Sequence, residues 1–256
     1  MELPTKTQEL VLTCLEKMRS DPRHLLTFSD REAIYDSFGL LLNDEVRDEK
    51  NNSWWMVLSK ASQVLGWLAV LTARKVLPIW EQNPVPNDPN DKIYSHDPLE
   101  MLEIAEGVLR ETVDADTIRG GCVDRFYFGT VGVQNFTSAN AADAMETAFA
   151  ALNVGFCGKE SYRDGRDFTI TAITAYALID ENLPGVAWKA SLNAIESGEF
   201  FDPELVRVED SRQKEWVNIV CYYKPVTIDT QKVLEFWEWW LAEAIPQAWE
   251  MAYQNP

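Results

Sequence analysis

Only two histidines, His24 and His96, occur among the 256 residues, which rules out a multi-histidine metal centre and leaves at most a single imidazole general base. The four cysteines, Cys14, Cys122, Cys157 and Cys221, stand far apart among apolar neighbours with no CxxC pair. They read as buried thiols of a reducing compartment. The chain also has no G-x-G-x-x-G loop, no Walker lysine loop, no HExxH and no G-x-S-x-G, so the common signatures of dinucleotide, phosphate, zinc-protease and hydrolase chemistry are missing. Basic side chains are scarce. Against 41 acidic residues stand 23 lysines and arginines, a formal charge of -18, and such a field repels phosphate backbones and anionic lipid heads while drawing in basic surfaces. The amino terminus lacks a basic segment followed by an unbroken apolar one, and the long apolar stretch 54–80 is interrupted by Lys60, Gln63, Arg74 and Lys75. Neither a signal peptide nor a membrane span is expected, and the cytoplasm is the expected location.

What is present is helical periodicity. Leu10, Val11, Cys14, Leu15 and Met18 form one stripe in residues 3–19, closed by "SDPR". Ser29-Asp30, with Glu32 just behind, suggests the start of a second helix that turns Ile34, Phe38, Leu41 and Leu42 inward before the solvated loop "NDEVRDEKNN". From Ser53 to Gln82 the apolar residues cover nearly every side, predicting a long central helix that includes Trp54 and Trp55. Pro78 is expected to kink or end it, because proline removes an amide donor and clashes with the preceding turn. A proline- and aspartate-rich loop at 83–97 follows. Asp97 and Pro98 then look like the cap and first residue of another helix.

The alanine-rich segment "SANAADAMETAFAALNVGFCG" predicts a thin, closely packed helix stopped by Gly155 or Gly158. Residues 118–136, 167–180 and 214–224 are open to either helix or strand, with a buried helix preferred for "DFTITAITAYALID". The last helix, about 230–252, starts at Asp229 or Thr230 and points Leu234, Trp237, Leu241, Ile245, Ala248 and Trp249 inward. An all-α fold is expected: one domain over 1–256, a multi-helix bundle or an irregular helical-repeat-like arrangement.

Chemistry is thinly marked. His96 beside Asp97 could be an exposed, acid-paired imidazole, the pairs Asp114/Asp116 and Asp164/Asp167 could share a proton or a cation, and Tyr162, Arg163, Arg166 and Asp167 could hold an anion. Surface turns and caps explain the same residues. No catalytic residue, cofactor or metal is therefore assigned. The tryptophans are more informative: Trp237, Trp239 and Trp240 diverge by roughly 200° and 300° around one helix, so they cannot all enter one core. At least one ring should be half exposed or meet another element. With Glu235, Glu238 and Glu243 beside them they would make an acidic-rimmed anchor for a basic partner.

The phrase Ala73 to Glu81, the loop Asn83 to Asp97, the helix from Pro98 ("DPLEMLEIAEGVL") and the downstream "ANAADAMETAFAAL" resemble the fifth immunity-protein family of bacterial polymorphic toxin systems, over roughly residues 65–160. The resemblance implies an all-α protein that neutralises a toxin by binding it. The tryptophan-rich carboxyl-terminal region and the glycines at 120–132 depart from that pattern. The expected partner is thus a protein with a basic surface, without direct nucleic-acid or membrane binding. The expected contact residues are Pro84, Asp88, Asp91, Glu238, Trp239, Trp240 and Glu243. A helical adaptor or regulatory subunit of a larger bacterial complex, defence complexes included, would show the same composition, and a small-molecule enzyme built on His96 or an acid pair is a third reading.

Overall fold

The computed structural model describes residues 2–24, 26–39, 43–48, 53–82, 97–110, 139–157, 168–177, 205–210, 215–220 and 228–254. They form α1 (Thr5–Ser20), α2 (Phe28–Ser37), β1 (Asn43–Asp48), β2 (Ser53–Leu58), α3 (Lys60–Gln82), α4 (Pro98–Leu109), α5 (Ala139–Cys157), α6 (Phe168–Ala177), β3 (Leu205–Asp210) and β4 (Glu215–Val220). The last helix is α7 (Thr230–Trp239), continued through a π turn at Trp240–Ala244 into α8 (Ile245–Gln254). The fold is all-α: helices packed on one another make the core, and two short antiparallel hairpins, β1–β2 and β3–β4, are local additions to it.

The core is built around α3 and α5. Every residue from Ala61 to Val70 is buried, which fits the all-round apolar pattern of a helix enclosed by others. Alanines 141, 144, 148, 150 and 151 of α5 are buried too, and their small side chains let α5 lie against α3, α4 and α6 together. Gly66 marks the closest approach: a Cβ there would fall 2.6 Å from Leu109 Cδ2 of α4. The final helix runs antiparallel to α3. Lys60 donates to the Ala252 carbonyl at 3.0 Å, Trp240 Nε1 donates to Thr72 Oγ1 at 3.2 Å, and Lys75 sits over Trp239, so positions rise along α3 as they fall along α7–α8.

Helix starts follow side-chain capping. Asp97 accepts from the amides of Leu99 and Glu100 at 2.9 and 3.4 Å, and Asp229 from those of Gln231 and Lys232 at 3.0 and 3.2 Å, both as the sequence predicts. The start of α2 lies earlier than the Ser29-Asp30 expectation. Thr27 is its cap, exchanging bonds with Asp30 in a capping box. His24, in the segment after α1, takes a left-handed backbone, φ 54, and sets Nδ1 3.1 Å from the Met18 carbonyl near the end of α1.

Three further expectations are corrected. The long helix does not begin at Ser53, because residues 53–58 pair as a strand with 43–48, Asn43 opposite Leu58 and Asp48 opposite Ser53. Ser59 then opens α3 by accepting from the Ser62 amide at 3.1 Å. "NDEVRD" is accordingly a strand within what reads as a loop. "LVRVED" pairs with "EWVNIV", so residues 215–220, open to helix or strand in the sequence, are strand. Pro78 does not end α3, which continues to Gln82. The proline is exposed and lies one turn from the carboxyl end, where only a short length of helix remains to be disturbed. The segment 168–177 is helix α6, and 118–136 lies outside the described residues.

Candidate functional site

Of the seven contact residues expected from the sequence, Pro84, Asp88 and Asp91 lie outside the described residues, as does His96. The other four sit on the last helix and part company. Trp240 is fully buried. Its indole donates to Thr72 Oγ1 and its ring meets Tyr35 and Trp237 edge-on at 6.1 and 5.5 Å. Trp240 is therefore corrected from contact residue to core residue, since a ring with no exposed surface cannot meet a partner. Trp237 is equally buried, beneath the Arg31 guanidinium at 5.8 Å. Trp239 alone of the three stays half-buried, which is the divergence that helical geometry demands.

Trp239 turns to the flank where α3 and α6 meet α7. Its ring packs on Phe236 at 5.7 Å and carries the Lys75 ammonium 5.0 Å from its centroid; the same ammonium is 5.8 Å from Tyr176. A cation so placed is attracted by the negative faces of both rings. On the opposite flank, Glu238 accepts from Arg19 Nε of α1 at 2.7 Å. Glu235 and Ala242 are exposed between these flanks. Residues 235, 238, 239 and 242 fall at positions i, i+3, i+4 and i+7, one outward stripe of the helix. Glu243 is exposed one position further on, at the π turn. The stripe can accept cations, by charge at its carboxylates and by ring face at Trp239.

A second ionic group ties the carboxyl end of α4 to the body of α3. Glu106 of α4 receives Arg74 Nε of α3 at 2.5 Å and Arg110 Nη2 at 3.1 Å, and Arg110 also lies over the Trp67 ring at 5.4 Å. One carboxylate thus serves two guanidiniums and ties α3 to α4. The four-residue spacing of Glu106 and Arg110 is a signal in the sequence; Arg74 is brought in only by the fold. Elsewhere, burial works to raise the Asp30 carboxyl, but hydrogen bonds from Lys17 and from the Thr27 side chain and amide prevail and hold it below the ordinary carboxylate range. Burial pushes the Cys14 thiol up to about 11.

Among the described residues, no three His, Cys, Asp or Glu side chains gather as metal ligands, and no helix is long and apolar enough to cross a membrane. No protein-family model matches the chain, and comparison with curated proteins finds no similar sequence. Neither comparison bears on the resemblance to immunity proteins, whose residues the structure describes only in part. Within it, α3 runs through Ala73 to Gln82 and α4 opens at Pro98 behind the Asp97 cap.

Proposed function

We propose that the protein is a non-enzymatic protein-binding module of the cytoplasm that masks a basic surface on its partner, and that, as in the immunity family it resembles, the partner is a toxin. The observation that carries this reading is the outward stripe Glu235, Glu238, Trp239 and Ala242, an amphipathic helix face with a half-buried indole between carboxylates. Aromatic anchors beside charged rims are the residues that dominate binding at protein interfaces. The formal charge of -18 would speed encounter with a cationic protein and disfavour nucleic acid and anionic membranes. Masking needs no reacting group. Coverage of the partner's functional surface is sufficient, with orientation set by charge and affinity by the apolar centre of the patch.

The test is affinity purification of the tagged protein from its own cells, read by mass spectrometry at low and at high salt. A single basic protein, recovered at low salt and weakened at high salt, is the expected result. Stoichiometric recovery of several subunits would instead make the protein a helical adaptor in a larger complex. Recovery of no protein at either salt would overturn both binding readings and direct attention to a ligand screen.

A further inference from the structure

Two of the cation-accepting groups of the α7 stripe, Glu238 and Trp239, are engaged by the chain's own cations. Arg19 reaches Glu238 across 219 positions of sequence, at 2.7 Å, with its side chain 59% and the carboxylate 38% exposed. Lys75 covers the Trp239 ring at 5.0 Å. Each contact is of a weak and exchangeable kind, since exposed ion pairs and solvent-accessible cation–aromatic pairs contribute little and are screened by salt. They come from different elements, α1 and α3, and they bracket Glu235 and Ala242 on the outward face.

We propose that Arg19 and Lys75 form an autoinhibitory contact: they occupy Glu238 and the Trp239 ring face in the free protein, and a basic polypeptide segment displaces them when it docks. This rests on the basic-partner reading above and adds how that surface is held in reserve. The rings beneath have partners of their own: Trp237 packs on Phe236 and under Arg31, and Trp240 on Tyr35 with its indole bonded to Thr72. The occupant is identified by charge: the stripe offers carboxylates and a ring face, and its present occupants are one guanidinium and one ammonium. Weakly binding proteins of low basicity lack the groups to compete for these positions, so the contact also acts as a filter.

The test uses a fluorescently labelled nona-arginine peptide and the full chain, followed by anisotropy. R19A and K75M each remove one internal competitor; R23A, at an exposed arginine paired with Asp21 in the turn after α1, removes the same charge elsewhere. Circular dichroism and a thermal melt establish that all variants fold alike. R19A and K75M should each bind the peptide about twofold to fivefold more tightly than R23A, and the double variant should bind more tightly than either. Equal affinities for R19A, K75M and R23A would overturn the autoinhibitory contact while leaving the basic-partner reading in place. Absence of binding by every protein, wild type included, would overturn the two together.

Discussion

Thr72 and Trp240 join the centre of α3 to the π turn, and their bond makes a sharp prediction. The Thr72 hydroxyl donates to the Leu68 carbonyl at 2.7 Å and accepts from Trp240 Nε1 at 3.2 Å, and both side chains are buried. T72V keeps the shape and removes the oxygen. It strands an indole N–H away from water, a loss of about 1 to 3 kcal/mol. For a chain of this size each kcal/mol lowers the melting temperature by about 2 to 4 °C. In a W240F background the stranded donor no longer exists, so T72V there should lose less than about 1 kcal/mol, the share of the Leu68 bond alone. Equilibrium urea unfolding of the four proteins, followed by far-ultraviolet circular dichroism, measures this cycle. Equal costs of T72V in the two backgrounds, within about 0.5 kcal/mol, would refute the claim that this hydrogen bond anchors the final helix. The comparison is informative because Trp67, Trp237 and Trp249 have buried Nε1 atoms with no acceptor among the described residues; the bond at Trp240 is a particular feature of that position.

Three other outcomes are expected. G66A should destabilise the protein by about 1 to 2 kcal/mol in urea, because crowding against Leu109 outweighs the better helix propensity of alanine; L109V should recover part of the loss. The lowered Asp30 carboxyl stabilises the fold above the ordinary carboxylate value, and this contribution fades as pH falls through the lowered value. D30N should therefore lose its disadvantage relative to wild type in acid unfolding series, and a constant difference at every pH would count against the Lys17 and Thr27 bonds as its source. Cys14, whose thiol burial raises to about 11, should resist iodoacetamide in the native protein near about pH 8 and become labelled in urea, as read by peptide mass mapping; rapid native labelling would contradict its burial.

The helices were legible because their information is local. Asp97-Pro98 and Asp229 announce starts by side-chain chemistry within three residues of the amides they cap, and the alanines of α5 announce close packing by size alone. The β1–β2 hairpin was not legible for the opposite reason. "NDEVRD" shows no clean alternation, and "SWWMVL" runs without a break into the apolar pattern of α3; only the pairing of Val46 with Trp55 and its neighbours makes them strands. Ser59, a capping residue three before Ser62, was the overlooked sign of where α3 begins. At the candidate site, the divergence of three tryptophans could be read from their spacing, but not which of them would face outward. That choice depends on Thr72, Arg31 and Lys75, which reach the helix from distant parts of the chain.

The π turn at Trp240–Ala244, closed by the Ile245 amide on the Trp240 carbonyl, carries a consequence for how the last helix keeps step with its neighbours. Its buried residues recur at strict fours, Val233, Trp237, Leu241, Ile245 and Trp249, with Phe236, Trp240, Ala244, Ala248 and Ala252 beside them. A plain α-helix advances about 40° too far with each four-residue step, so by Trp249 the row would have wandered off the core. The wide turn takes in one surplus residue at the middle and resets the phase. The helix thus behaves as two screw threads joined by a correcting washer, and losing one residue between 240 and 244 would rotate Ala248 and Trp249 away from α3 while leaving Glu238 and Trp239 where they are.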